Sequence, residues 1–159
     1  MKKWVYILVA IALTSCGEQK SMLTDVIGVG HFRGHNIGDK REQIENSVKG
    51  IGSLTQTENS LRYEQTIKGV ELVSQYDFDQ EALYSIQVDM FFPDSSSLDS
   101  FESNLVERYN SLYGEVRLDG GFLVWKDHSA GTEVEFTLAD ESIEFGQPKL
   151  SLTIYNFDY

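Results

Sequence analysis

Apolar residues alternate with polar ones along most of the chain after residue 60, and this spacing constrains the fold more than any other feature. The alternating positions fall into seven short runs, which are Leu61/Tyr63/Gln65/Ile67, Val70/Leu72/Ser74/Tyr76, Tyr84/Ile86/Val88/Met90/Phe92, Leu123/Trp125, Val134/Phe136/Leu138, Ile143/Phe145 and Leu150/Leu152/Ile154. A period of two, bounded by Gly, Asp and Ser, is typical of antiparallel strands with one buried face. We therefore predict an antiparallel sheet, with Tyr63 and Trp125 on its core side.

Two stretches have helical spacing instead, and they predict helices over residues 39–52 and 97–113. The first begins with a candidate capping box, Asp39 to Glu42, and the second follows the N-cap-rich residues 93–97. Their apolar positions are Ile44, Val48 and Ile51, and Leu98, Phe101, Leu105, Tyr109 and Leu112. We expect an α+β fold with these helices packed on one face of the sheet.

The two halves of the chain share a pattern of residues. Gly114 lies 62 positions after Gly52, and the same offset joins several other pairs. They are Leu61/Leu123, Tyr63/Trp125, Gly69/Gly131, Glu71/Glu133 and Leu72/Val134. After an insertion around residues 144–147, residues 84–86 match 150–152. We predict one α+β domain, residues 36–159, of two tandem α-β-β-β repeats at about 36–92 and 93–159.

This duplicated unit resembles the β-lactamase inhibitor protein, and a single unit resembles the small outer-membrane assembly lipoproteins of the SmpA/OmlA type. The resemblance covers roughly residues 36–157 and depends on the order of helices and strands. In the family a glycine precedes the helix and an aromatic residue lies on the first strand, and Gly38 and either Tyr63 or Trp125 could take these positions. The inhibitor carries disulfides, which this domain lacks the cysteines to form, and the assembly lipoproteins have one unit. The resemblance implies a non-enzymatic binding role.

The amino terminus has the layout of a lipoprotein export signal. Lys2 and Lys3 precede an apolar run over residues 5–13, which is much shorter than the roughly 20 residues of a bilayer-spanning helix. Residues 13–17, Leu-Thr-Ser-Cys-Gly, resemble the lipobox of bacterial lipoproteins, in which cleavage leaves the cysteine as the lipidated first residue. We predict a signal peptide over residues 1–15, and a lipidated Cys16 with a tether over residues 16–35.

Cys16 is the only cysteine, and acylation would remove a lone thiol from an oxidising compartment. The first predicted partner is therefore the lipid bilayer, through fatty acyl chains such as palmitate on Cys16. Gly17 occupies the position where aspartate resembles an inner-membrane retention signal. We expect an exported, membrane-anchored protein, in the outer membrane if the source is diderm.

The charge of the chain excludes some classes of partner. The formal net charge is −12, and no Lys/Arg cluster follows residue 41. Nucleic-acid binding depends on a basic surface that displaces counterions, so we expect no nucleic-acid partner.

Two histidines, His31 and His35, have a spacing that could share a metal on a helix. Gly28, Gly30 and Gly34 disfavour a helix there, so we expect exposed loop histidines and no metal. The same glycines do not match the dinucleotide-binding fingerprint. That fingerprint needs a glycine at its sixth position, which is Arg33 in this chain.

Two short segments also bring together residue types that are found in functional sites. Residues 127–129, Asp-His-Ser, have the residue types of a catalytic triad, but consecutive side chains on a turn seldom converge. The acidic residues of 77–81 lack the glycine and the final glutamate of a calcium loop, so we predict a solvated hairpin turn. We expect no catalytic residues, no metal and no cofactor.

The leading functional hypothesis is a membrane-anchored, non-enzymatic module that binds a protein partner or acts as an envelope scaffold through its open sheet face. The alternatives are an envelope hydrolase and a small-ligand carrier with a cavity between helix and sheet. Alternate positions assign six residues to the candidate binding face: Val73, Phe91, Phe122, Val124, Tyr155 and Phe157. Charged residues expected around them are Arg62, Lys68, Glu71, Glu133 and Glu135. The competing arrangement buries this face against residues 25–36.

Overall fold

A computed structural model of the protein describes residues 22–129 and 133–157. The predicted signal peptide, Cys16 and Gly131 lie outside the described residues. Among the described helices, none is both long and apolar enough to cross a bilayer.

The described residues form four helices and eight strands, which confirms the α+β class. Residues 22–27 are helical (α1). In chain order, α2 (Arg41–Val48), β1 (Ser53–Gln56), β2 (Ser60–Ile67), β3 (Val70–Asp79), β4 (Ala82–Phe91), α3 (Ser95–Tyr113), β5 (Arg117–Asp119), β6 (Phe122–Asp127), β7 (Val134–Asp140), α4 (Ser142–Phe145) and β8 (Lys149–Asn156) follow.

All eight strands belong to one sheet, in the order β1-β2-β3-β4-β8-β7-β6-β5. Every neighbouring pair is antiparallel, so the predicted antiparallel sheet is confirmed. The central pair, β4 and β8, joins the four strands before α3 to the four after it, so each half has one strand more than the predicted α-β-β-β unit. The short strands β1 and β5 form the two edges.

One face of the sheet carries the hydrophobic core. The register aligns a row of buried side chains across five strands: Tyr76, Ile86, Ile154, Phe136 and Trp125. Tyr63 is also buried, with its ring stacked 5.8 Å from that of Tyr76. The indole Nε1 of Trp125 donates to Asn110 Oδ1 at 2.8 Å, which satisfies its polar group inside the core. The predicted burial of Tyr63 and Trp125 is confirmed.

Helix α3 packs on the core face, over β6 and β7. The ring of Tyr109 lies 5.3 Å from Trp125 and 5.2 Å from Phe136, centroid to centroid. Asp94 caps the helix by accepting a hydrogen bond from the Ser97 N–H at 2.8 Å. Gly114, with φ of 92°, ends it.

Helix α2 is shorter than predicted, and its predicted capping box is wrong. The Lys40 N–H donates to Gln43 Oε1 at 3.1 Å, whereas Asp39 Oδ2 accepts from the Asn36 N–H at 2.8 Å. Lys40 pairs with Ala82 in an isolated bridge, and the Arg41 guanidinium donates to carbonyl oxygens of the β1–β2 turn. Helix α2 therefore lies at the end of the sheet, and the two helices do not lie side by side on its face.

Residues 22–35, predicted as part of the tether, instead belong to the domain. Val26, Ile27 and Phe32 are fully buried in the core, because the apolar residues of α1 and the following loop point towards the sheet. The Phe32 ring lies 6.5 Å from that of Tyr76, on the core side. The competing arrangement, in which residues 25–36 bury the opposite face, is therefore wrong.

Three residues that were predicted to lie in the buried rows of strands are also wrongly placed. Ile143 and Phe145 lie in α4, which Gly146 ends in the left-handed conformation. The pairing register between β3 and β4 shifts between Asp77 and Phe78. As a result Leu83 and Ile86 of β4 are both buried, whereas Tyr84 is not. A bulge of this kind re-aims every side chain beyond it.

A cross-strand groove on the open sheet face

The sheet face opposite the core carries the candidate site. Side chains alternate along each strand, so the neighbours of the core residues project from this face. The register aligns one row of them across six strands: Arg62, Gln75, Gln87, Thr153, Thr137 and Val124. We call its four uncharged polar members, Gln75, Gln87, Thr153 and Thr137, the polar row.

Two depressions adjoin along this row. The first has a volume of about 420 Å³ and is lined by Arg62, Gln75, Gln87, Phe145, Lys149 and Thr153, among others. The second has a volume of about 360 Å³ and is lined by Asp119, Phe122, Val124, Glu135, Thr137 and Tyr155, among others. Both are lined by Thr153, so we describe them together as the cross-strand groove.

A buried lysine forms one wall of the groove. Lys149 is 3% exposed, and its Nζ lies 2.7 Å from Glu141 Oε2 and 3.0 Å from Asp89 Oδ1. Ser151 Oγ lies 2.7 Å from the same Glu141 oxygen and 2.8 Å from the same Asp89 oxygen. Burial opposes the charge on Lys149, but hydrogen bonds to Glu141 and Asp89 outweigh it, and the pKa of Lys149 is raised. The hydrogen bond from Lys149 also lowers the pKa of Glu141.

The opposite wall has a related set of contacts. Lys126 Nζ forms an ion pair with Glu133 and lies 4.0 Å from the centroid of the Phe157 ring. The Tyr155 hydroxyl donates to Glu135. Burial and this hydrogen bond raise the pKa of Tyr155 to about 12. Each wall therefore combines a lysine, a carboxylate pair and aromatic rings.

Four of the six residues predicted for the binding face line this groove, and the other two, Phe91 and Phe157, lie beside it next to Phe145 and Lys126. Val73 lines the first depression, and Phe122, Val124 and Tyr155 line the second. Phe91 packs against Phe145 at 6.4 Å. Phe122 and Phe157 are 47% and 51% exposed, Val124 is buried, and the other three are half-buried.

The polar row separates these apolar side chains, so they form walls and not one apolar patch. Of the charged residues expected around them, Arg62 and Glu135 line the groove, and Glu133 pairs with Lys126. Glu71 pairs in register with Phe91. Lys68 instead lies 3.8 Å from Asp25, so it contacts the amino-terminal segment.

Both loop histidines are buried, contrary to prediction, at 6% for His31 and 8% for His35. His31 Nδ1 accepts from the Ile37 N–H at 3.0 Å, and its Nε2 lies 3.4 Å from Asp127 Oδ2. Both imidazole nitrogens of His31 are thus engaged, and neither is free to act as a general base.

His35 Nε2 lies 2.8 Å from Ser47 Oγ, which itself donates to the Ile44 carbonyl oxygen. Burial lowers the pKa of both histidines.

The predicted turn over residues 127–129 is present in the described residues, where Asp127 Oδ1 accepts from the Ser129 N–H at 2.8 Å. Its contact with His31 was missed, because residues 96 positions apart give no local signal.

A further depression, with a volume of about 400 Å³, lies between α3 and the loop before α2. Val29, Leu112 and Tyr113 contribute apolar surface to it, and Arg108 and Asp127 contribute charge. Within residues 22–129 and 133–157, no group of three or more His, Cys, Asp or Glu side chains is placed to hold a metal ion.

No protein-family model, curated protein or solved structure matches this chain.

Proposed function

We propose that this protein is an exported lipoprotein, anchored by acylated Cys16, that binds a protein partner in the cross-strand groove without catalysing a reaction. The observation that carries the proposal is the groove itself. It crosses the centre of the sheet, on the face away from the core, and its two depressions adjoin at Thr153.

The composition of the groove supports a protein partner. Binding interfaces combine partly exposed aromatic residues with a polar, hydrated rim. Phe122 and Phe157 supply exposed aromatic surface beside Glu135 and Lys126. Phe145 supplies exposed aromatic surface beside Lys149 in the first depression.

The strand order supports the proposed tandem repeats, residues 36–92 and 93–159. Each half contributes four adjacent strands, and β2 and β6, which carry Tyr63 and Trp125, are each second from an edge. The polar row is divided in the same way, because Gln75 and Gln87 come from the first half and Thr137 and Thr153 from the second. Two copies of one unit would thus build a single groove at their junction.

Site-specific photo-crosslinking in membranes of the source cell tests this proposal. Phe122 and Phe157, at the groove, would each be replaced by p-benzoylphenylalanine. Leu112, an exposed apolar residue on α3, provides the matched control. We expect one defined protein adduct from both groove positions and none from Leu112. Adducts from Leu112 alone would place the interface on the helical side and contradict the proposal.

The depression beside α3 favours a second candidate, a small-ligand carrier. Val29 and Leu112 are exposed apolar residues at a depression of about 400 Å³, a size within the range of ligand pockets. Native mass spectrometry of the protein purified from its source would show a retained molecule. If the spectrum under non-denaturing conditions showed only the mass of the protein without a ligand, the carrier role would be contradicted.

A further inference from the structure

We infer that the cross-strand groove binds an extended, positively charged segment of the partner protein, which lies across the strands along the polar row. This inference rests on the proposed function and names the chemistry of its partner.

The floor of the groove offers hydrogen-bonding groups that have no protein partner. The hydroxyls of Thr137 and Thr153 make no hydrogen bond to another residue in the described part of the chain. Gln75 Nε2 and Gln87 Nε2 donate to Asp77 at 2.9 and 3.3 Å, and their amide oxygens accept none from the described residues. Two hydroxyls and two amide oxygens can thus pair with the N–H and C=O groups of an incoming backbone.

The length of the groove suits a short extended segment. From Arg62 to Val124 the register crosses five strand intervals. Neighbouring strands lie about 4.8 Å apart, so the row is roughly 24 Å long, which is the length of about seven extended residues.

The charges beside the groove favour a cationic occupant. Asp89, Glu141 and Glu144 line the first depression, and Asp119 and Glu135 line the second. The cations at the groove are already paired. Lys149 pairs with Glu141 and Asp89, and Arg62 pairs with Glu64. Lys126, in the opposite wall, pairs with Glu133 and Glu135.

Glu144 and Asp119, by contrast, are exposed and form no ion pair with another described residue. The formal net charge of −12 adds a negative field over the whole surface. The register places Arg62 and Arg117 at the two ends of the row, so the attraction for a basic segment comes from Glu144 and Asp119 within the two depressions.

Fluorescence anisotropy with labelled seven-residue peptides tests the inference on the full lipidated chain in neutral detergent. The probes alternate Lys with Thr, Glu with Thr, or Gln with Thr. In low salt we expect the Lys peptide to bind at least about tenfold more tightly than the Glu peptide, and salt near 0.2 M to reduce that difference. Equal affinity of the Lys and Glu peptides would overturn the inference.

Matched variants locate the binding. The double variant Glu144→Gln/Asp119→Asn removes two charges at the groove, and Glu42→Gln/Glu107→Gln removes two from exposed helix positions. We expect the first to weaken binding of the Lys peptide about five- to tenfold and the second to change it less than twofold. Equal losses in the two would show non-specific attraction and overturn the inference.

The floor is tested with Thr137→Val/Thr153→Val, which keeps side-chain shape, and circular dichroism melting confirms that each variant folds. Loss of affinity for the Lys peptide at unchanged melting temperature supports the inference, and unchanged affinity overturns its floor contacts. Salt-independent binding of cellohexaose without binding of the Lys peptide would assign the groove to a glycan and overturn it. Groove adducts in the photo-crosslinking experiment, together with no Lys-peptide binding, would overturn only this inference and leave the proposed function standing.

Discussion

Lys149 Nζ lies 3.6 Å from the centroid of the Phe145 ring, so a side chain from β8 holds the short helix α4 over the open sheet face. The cation is buried between this ring and the carboxylates of Glu141 and Asp89. A buried ammonium is costly unless it is paired, and these contacts supply the pairing. The first depression of the groove depends on this arrangement.

The first prediction concerns Lys149→Met, which removes the cation and leaves two carboxylates close together. We expect the free energy of unfolding to fall by about 1–3 kcal/mol, less than for a fully buried pair because Asp89 and Glu141 are partly exposed. Urea denaturation measures the loss. Lys68→Met is the control, because its ion pair with Asp25 is exposed and should contribute less than about 0.5 kcal/mol. Equal losses in the two variants would contradict the role of Lys149.

The second prediction concerns the core. Trp125→Ala should lower the free energy of unfolding by about 3–5 kcal/mol, because it leaves a cavity beside Tyr109 and removes one of the two hydrogen bonds that Asn110 Oδ1 accepts. Ile143, at 98% exposure, provides the control, and Ile143→Ala should change stability by less than about 0.5 kcal/mol. Chemical denaturation compares them, and a loss below about 1 kcal/mol for Trp125→Ala would be inconsistent with the core assignment.

The third prediction concerns pH. Burial lowers the pKa of His31 and His35 in the folded protein, despite the nearby carboxylates of Asp127 and Asp39. Below the unfolded value of about 6.5 the unfolded chain therefore binds protons that the folded protein does not, and stability falls as the pH falls. Urea midpoints between about pH 7.5 and 5.5 measure this slope. His31→Gln should reduce this slope relative to the unsubstituted protein, because it removes one of the two histidines with a lowered pKa. An unchanged slope in His31→Gln would contradict the prediction.

The fourth prediction concerns membrane anchoring. Cys16→Ala should release the protein from membrane fractions, because the lipobox and the only cysteine are lost together. Gly17→Asp is the companion variant, which should stay membrane-bound and, in a diderm source, move towards the inner membrane. Fractionation with and without detergent measures both. Detergent-requiring association that persists in Cys16→Ala would refute lipid anchoring.

The fifth prediction concerns the groove walls. Phe122→Ser/Phe157→Ser should lower stability by less than about 1 kcal/mol, because both rings are about half exposed. The same double variant should nevertheless reduce the yield of partner adduct from a photo-crosslinker placed at Thr137. Thermal melting and adduct quantification test the two parts. An undiminished adduct would move the interface away from these rings.

The strand phases were predictable because alternation is a local property of the chain. Tyr63 and Trp125 were placed correctly on that basis, whereas Tyr84 was not, since a bulge in the β3–β4 pairing is set by register between strands. Ile143 and Phe145 were mistaken for a strand because two alternate positions also fit one helical turn. The burial of His31 arises from tertiary packing against Phe136, which has no local signature.

The candidate site was predictable only in part. The six apolar or aromatic residues were assigned to the open face by alternation along the strands, and they drew notice because such residues are unexpected at solvent-facing positions. The polar row was missed, because Gln and Thr are ordinary there and give no signal. Only the register brings Gln75 beside Gln87, and then Thr153 beside Thr137.

The burial of the first described residues fixes how much chain separates the folded domain from Cys16, the proposed site of lipid anchoring. Leu23 is already part of the core, so only seven residue steps separate it from Cys16. Fully extended, that span is at most about 25 Å. With Cys16 acylated, Leu23 would stay within that distance of the bilayer surface, and the domain would meet partners in a thin layer at high effective concentration. Weak affinity in solution would then suffice for occupancy at the membrane.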